Sequence, residues 1–393
     1  MRIGMLLPNH HFPPDIRVEK EAQVLSAAGH EVFLLSRRDG SQPPEEQVGP
    51  IHVVRHRVHP GSALRRKADS LTFLVTMDSP SWRAGMESLI IQHGCEVLHL
   101  HDLPYVPSAV KAARRHGVPV VLDLHENYPA ALALWGRQRR KLLFSPARAA
   151  RLERWALRSV DRVIVVVDEA KDRVTALGAD PDRVTVFGNT EPLGLVPPAP
   201  LPLDFSHGLR LVYVGGIAAH RGLDTAIQAM TTVCEHDPAA MLTIVGDGDA
   251  LPTLRALTDE LGLADHVRFT GWLGKDEAMT YIADANVALV PHHRSPHTDA
   301  TIPHKLFQYM ALGRPVIVSD CAPLARIVRQ EGCGLVFRSG DAVDLASQVL
   351  KVADPATAGE MAAAGRAAVL ERWNLEAEGV ALTEMYAGLA RHR

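Results

Sequence analysis

Short apolar runs recur along this 393-residue chain that are too continuous to face water on either side, and each is followed by a stretch of helical period. "RIGMLL" (2–7) leads to "IRVEKEAQVLSAAG" (16–29), a helix closed by Gly29, and then to "HEVFLLS" (30–36). "EVLHLH", "VPVVLDL" and "DRVIVVV" continue the series, interleaved with helical patterns such as "VPSAVKAARRHG". Unbroken rather than alternating hydrophobicity implies parallel strands covered on both faces. The rhythm pauses at "EPLGLVPPAPLPLDF" (191–205), proline-rich and poor in charge, which suits a semi-rigid linker. It restarts with "LRLVYVGG", "AMLTIVGDG", "HVRFTGW", "ANVALVP", "RPVIVSD" and "CGLVF". The expected fold is therefore α/β, with two doubly wound parallel-sheet, Rossmann-like domains. Their expected limits are 1–192 and 206–373, joined by a linker at 193–205, with a separate amphipathic segment at 374–393.

Composition narrows the function. A formal net charge of −3 does not suit a nucleic-acid binder. Cys95, Cys234, Cys321 and Cys333 are scattered without C-x-x-C spacing, so neither a disulfide framework nor a thiolate zinc site is expected. The apolar run before Pro8 is too short for a signal peptide, and no stretch reaches the roughly 18 apolar residues of a membrane helix. A cytoplasmic location is expected.

Ligands of such sheets bind beyond the carboxyl ends of the strands. There the sequence places His10 and His11, "HDLP" beginning at His101, "HENYP" beginning at His125, "GGIAAHRG" (215–222), "GDGD" (246–249) and "PHHRSPHTDATIPHK" (291–305). Gly215 and Gly216 followed by Arg221 at a helix start read as a phosphate cradle, the alternative being a tight turn with a surface arginine. His293 and His297 could share a metal only on a helix, and Ser295-Pro296 argues against one. No metal is expected. Gly246, Gly248 and Trp272 read equally as close approach and stacking for a base or as turn glycines with a packing aromatic. Asp15 reads as a helix N-cap, and Glu126 as a site residue or a cap of the next helix.

"YVGGIAAHRGLDTAIQAM", "LTIVGDGDALPTLRALTDELGLADHVRFTGW" and "IPHKLFQYMALGRPVIVSD", in that order, resemble the donor-binding half of glycosyltransferase family 4 enzymes with the GT-B fold. "PPDIRVEKEAQVLSAAGHEVFLLS" and "VVLDLHENYP" resemble the acceptor half. The resemblance implies two domains facing a cleft, a last helix crossing back onto the first domain, and retaining, metal-independent transfer from a nucleotide-diphosphate sugar to an acceptor hydroxyl. No cofactor is implied beyond that sugar nucleotide. The family's two basic diphosphate residues would fall on Gly216 and Arg221, so one is missing and Lys305 is its natural substitute. The family's paired glutamates would fall on Ala300 and Gln308, so both are absent, with Asp299 beside the first. The donor set carried over is Gly215, Gly216, Arg221, Gly246, Gly248, Trp272, Thr301, Ile302, Lys305 and Gln308. His125 matches a histidine that contacts the donor sugar, and His125, Arg221 and Lys305 are the expected catalytic residues. His10, His11, Arg17, His101 and Glu126 are acceptor-side candidates, for a small-molecule, glycan or lipid-linked acceptor. A nucleotide-sugar epimerase of the same fold, or a sugar-nucleotide binder with weak or no transferase activity, are the alternative readings.

The segment 136–155 carries seven basic residues against Glu153 alone, and "ALRRK" (63–67) adds more. It reads as a peripheral contact with an anionic membrane or as a solvated helix face.

Overall fold

The computed structural model describes residues 1–8, 12–40, 42–59, 62–134 and 145–391. His10 and His11, and the 136–144 part of the basic segment, lie outside the described residues. The chain divides into two units, Met1–Gly188 with Glu378–Arg393, and Asn189–Ala377.

The first unit holds β1 (Arg2–Leu7), β2 (Glu31–Arg37), β3 (Glu45–Val48), β4 (Ile51–His56), β5 (Val97–His101), β6 (Val120–Leu124), β7 (Arg162–Val165) and β8 (Val184–Val186). They lie in the order β3-β4-β2-β1-β5-β6-β7-β8. Every pairing is parallel except β3 with β4. The antiparallel edge departs from the expected all-parallel sheet. "EEQV" has no apolar run to reveal it, because a strand at a sheet edge can stay half-exposed. Central β5 and β6 are buried at every residue.

The second unit holds β9 (Arg210–Val214), β10 (Met241–Val245), β11 (Val267–Gly271), β12 (Val287–Val290), β13 (Val316–Ser319) and β14 (Gly334–Phe337). The order is β11-β10-β9-β12-β13-β14, all parallel. Strand order reverses between β1 and β5 in one sheet and between β9 and β12 in the other, the switch points where such sheets receive ligands.

The proline-rich stretch is tied to the second unit. Arg314, almost fully buried, donates to the carbonyls of Leu201 and Pro202, and Arg366 donates to that of Pro197. The last helix, Leu375–Arg391, starts in the second unit and runs on in the first. There Gly379 packs so closely on Val24 that a Cβ would sit 2.9 Å from it, and Leu382, Tyr386 and Leu389 are buried. Val380, on the opposite face of this amphipathic helix, is exposed.

Candidate functional site

In the second unit the loops after β9, β10 and β12 meet at one sheet edge. The loop after β9 runs through Gly215 and a 3-10 turn, Ala219–Arg221, before the helix Leu223–His236. Gly215 has φ +133°, and a Cβ there would lie 2.9 Å from Lys305 Nζ. The space a side chain would need is thus occupied by the lysine. Lys305, second residue of the helix His304–Ala311, lies 8 % exposed with Nζ 3.5 Å above the Tyr213 ring centroid. A Cβ on Gly216 would meet open space, so no steric reason demands glycine at this position.

Arg221 donates to His292 Nε2 at 3.2 Å. A donor facing that nitrogen requires neutral imidazole with its proton on Nδ1. Burial, reinforced by Arg221 and Lys305, holds His292 well below the usual histidine range. Burial and then Arg221 lower His297 to about 4, and burial with Arg221 does the same to His220. Lys305 too is pushed well below the lysine range, by burial first and Arg221 second. Among the described residues neither Arg221 nor Lys305 has a carboxylate in ion-pair reach. A guanidinium without a carboxylate, beside a lysine whose charge burial and that guanidinium both oppose and ringed by neutral histidines, makes an environment short of one anion.

The histidine-rich loop is not helical between Pro291 and His297, and only Thr298–Ala300 forms a 3-10 turn. Thr298 Oγ1 pins it by donating to His293 O at 2.9 Å and accepting from Ser295 N. His293 turns away to Asp224, 3.0 Å distant. Asp299 accepts from Ala322 N and pairs with Arg294, so its carboxylate is already committed. No histidine of this loop belongs to a group of three metal-ligating side chains among the described residues.

Gln308 donates to Glu191 Oε1 at 2.9 Å, so a buried carboxylate from the interdomain stretch stands behind the amide. Ile302 is buried and its carbonyl accepts from Asn189 Nδ2, while neighbouring Thr301 is half-buried. Gly246 and Gly248 answer to the protein's own backbone. Their Cβ atoms would fall 2.0 Å from Gly215 O and 2.1 Å from Ile217 O, where the two loops exchange Gly215 N to Val245 O and Ile217 N to Asp247 O bonds. Trp272 packs on nothing comparable and is 77 % exposed beyond β11.

At the corresponding edge of the first unit Asp123, wholly buried near the end of β6, is a hub. Arg17 grips it through both oxygens at 2.6 and 2.7 Å, His101 Nδ1 lies 3.2 Å away and His125 Nε2 2.7 Å away. Burial alone would raise this carboxyl, but Arg17 and His125 hold it well below the usual carboxylate range. Asp102, in the left-handed region at φ +65°, brings a second carboxylate to 3.7 Å from His125 Nδ1. Burial opposes a charge on His125, yet Asp102 and Asp123 override it and lift the imidazole to about 10. His125 is therefore an imidazolium at neutral pH.

Arg17 is a buried member of this network, and Asp15 caps its helix by accepting from the Arg17 and Val18 amides. Asn127, rather than Glu126, caps the helix after β6 through Ala130 N. Glu126 is half-buried beside His125. Further in, Glu21 lies 3.2 Å from both Arg17 and His99, and His99 Nδ1 meets the hydroxyl of Tyr386 at 2.6 Å. Glu21, His99, His101 and Asp123 cluster closely enough to hold a metal, but Arg17 already pairs with both carboxylates, and burial together with the Asp123 charge holds Glu21 well above the usual carboxylate range. Asp123, Glu21, His99, Tyr386 and Glu191 were missed from sequence. The signal for the first was a charge inside the apolar run "VVLDL", which must find a buried partner.

A family model described as glycosyl transferases group 1 matches residues 208–354, and one described as glycosyl transferase 4-like domain matches residues 15–190. Glycogen synthase of Mycobacterium tuberculosis is 24% identical over 420 aligned residues, covering 100% of this chain and 95% of that protein. The GDP-mannose-dependent alpha-(1-6)-phosphatidylinositol monomannoside mannosyltransferase of the same organism is 33% identical over 45% of this chain and 47% of its own. Among solved structures, sucrose-phosphate synthase from Thermosynechococcus elongatus superposes with a TM-score of 0.79 at 21% identity, covering 100% of both chains. Anabaena HepE in complex with UDP superposes with a TM-score of 0.74 at 14% identity, over 99% of this chain and 100% of that one. With two consecutive family models on its two parallel-sheet units, the chain belongs to the family 4, group 1 glycosyltransferases of the GT-B fold.

Proposed function

We propose that this glycosyltransferase takes its sugar from a nucleotide-diphosphate donor without a metal ion and transfers it with retention to an acceptor hydroxyl. The observation that carries the reading is that Arg221 and buried Lys305, neither with a carboxylate in ion-pair reach, stand together at the switch point of the second sheet. Between them they match the charge of a diphosphate, the element common to UDP-, GDP- and TDP-sugars. Neutral His220, His292 and His297 add hydrogen-bonding capacity without competing charge.

A metal neutralises a departing diphosphate by Lewis acidity. Here guanidinium and ammonium do that work as negative charge grows on the leaving oxygen. That oxygen takes the acceptor's proton on the face it leaves, so the new bond keeps the anomeric configuration. Gly246 and Gly248 hold the loop that positions Gly215 and Lys305. Gln308, backed by Glu191, offers the ribose an amide in place of a carboxylate, and Trp272 offers the base a stacking face. In the first unit His125 offers substrate a fixed positive charge.

The test is a thermal-shift screen of the whole protein against UDP, GDP, TDP and their sugars, with and without EDTA. Stabilisation by one nucleotide family that survives EDTA is expected. Silence from every nucleotide, or a response abolished by chelator, would overturn the metal-free donor site.

A further inference from the structure

The helix Ala63–Thr76 of the first unit is amphipathic in the wrong direction for a water-soluble domain. Its one buried residue is an acid, Asp69, which accepts from Ser79 Oγ at 2.7 Å and from Ser81 N at 2.9 Å. Phe73, stacked on Tyr105 with centroids 4.3 Å apart, adds the aromatic part of the inner contact. The aliphatic side chains lie outside. Leu64 is 79 % exposed, Leu71 61 % and Val75 65 %. At i, i+7 and i+11, with exposed Ala68 between, they form one stripe about 16 Å long. Such a stripe on a monomer needs a partner to cover it.

Charge says which partner. Arg65, Arg66 and Lys67 are exposed in the first turns of the same helix, and it carries no exposed acid. Arg148, from the helix Pro146–Ser159, reaches the carbonyl of Val75, so that second helix adjoins the end of the first. Its exposed residues Arg151, Arg154, Trp155 and Arg158 recur at i, i+3, i+4 and i+7, a cationic stripe with a tryptophan in it. Its one acid, Glu153, is buried and spent on Arg173 through two bonds of 2.7 and 2.9 Å. A protein surface would answer an apolar stripe with apolar side chains. Six exposed cations with no exposed anion on these two helices call for a negative surface that is apolar just beneath, which describes an anionic bilayer.

We infer that the helices Ala63–Thr76 and Pro146–Ser159 form a peripheral membrane-docking surface for anionic phospholipid, with Leu64, Leu71 and Val75 entering the headgroup boundary and the arginines and lysine meeting the phosphates. The surface stands apart from the cation pair Arg221 and Lys305 in sequence and in unit, so its assignment does not depend on the nucleotide reading.

The test is flotation of the full chain with vesicles of phosphatidylcholine alone and with about a third phosphatidylglycerol. Binding to the anionic vesicles alone is expected, weakening as salt rises. The double variant Leu64→Asp/Leu71→Asp should lose at least tenfold in partition while keeping wild-type circular dichroism and nucleotide-induced thermal shift, and Arg65→Gln/Arg66→Gln/Lys67→Gln should weaken it as well. Absence of binding, equal binding of the double variant, or equal binding to neutral vesicles would overturn the inference. So would a concentration-dependent dimer in sedimentation that Leu64→Asp/Leu71→Asp dissolves, since the stripe would then belong to a second copy of the chain.

Discussion

Replacing Lys305 with methionine should make the empty protein more stable and the nucleotide-bound protein weaker. The ammonium is 8 % exposed, sits over Tyr213 and faces Arg221 with no carboxylate beside it. Burial and a like charge both penalise it, so an apolar side chain of similar length should add about 1–2 kcal/mol, at the low end of what replacing buried charge yields. For domains of this size that raises Tm by about 2–8 °C. In the complex the ammonium meets a diphosphate, and losing one charge-assisted bond costs about 1.5–3 kcal/mol, or roughly 10- to 150-fold in Kd. The depressed lysine has a protonation signature as well. Between its folded pKa and the ordinary value of about 10.5 the unfolded chain binds more protons, so wild-type stability rises with pH and the variant's advantage shrinks across that window. Nucleotide binding there should take up a proton, read by calorimetry in buffers of different ionisation enthalpy, and the uptake should vanish in Lys305→Met. A variant that is less stable when empty and binds nucleotide as before would show Lys305 to be a packing residue.

Gly246→Ala and Gly248→Ala should each cost more than about 3 kcal/mol, because the new methyl meets a backbone carbonyl near 2 Å, whereas Gly216→Ala should be nearly neutral; chemical denaturation separates the two cases. Tyr386→Phe removes the hydroxyl that meets buried His99 Nδ1 and should cost about 1–3 kcal/mol by the same method. Nitrogen NMR should find His125 doubly protonated at pH 8. Because its folded pKa, about 10, lies above the unfolded value near 6.5, its stabilising contribution is complete below pH 6.5 and disappears as pH climbs through 10. Asp123→Asn should bring that titration down toward the ordinary range, and an unmoved titration would contradict the hub assignment.

The sheets were readable because buried parallel strands must be continuously apolar, as "VVLDL" and "NVALVP" are. The antiparallel edge "EEQV" was not, since an exposed edge strand carries no such mark. Of the site, Arg221 was legible as a cation after a glycine turn, while Lys305 stood out only through the family resemblance, as the substitute for a missing basic residue. What the glycine-rich loops do internally was not legible. Gly246 and Gly248 have the composition of a ligand cradle, and only the approach of the Gly215 and Ile217 carbonyls shows that the backbone itself requires them. Arg17 and Asp123 stand 106 residues apart, and His99 and Tyr386 287 apart, so no local spacing could pair them. Of Ala63–Thr76 the sequence marks only the basic start "ALRRK"; the outward placing of Leu64, Leu71 and Val75 depends on Asp69 taking the inside, which hydrophobicity alone does not predict.

The most direct test of retaining, metal-free transfer is proton NMR of the sugar first released when the protein, in EDTA, turns over an α-linked nucleotide sugar chosen by the thermal-shift screen, with water as acceptor. The expected first signal is the α anomer, growing before mutarotation and depressed at least a hundredfold in Arg221→Ala. A β anomer appearing first, or turnover that requires an added divalent ion, would contradict it.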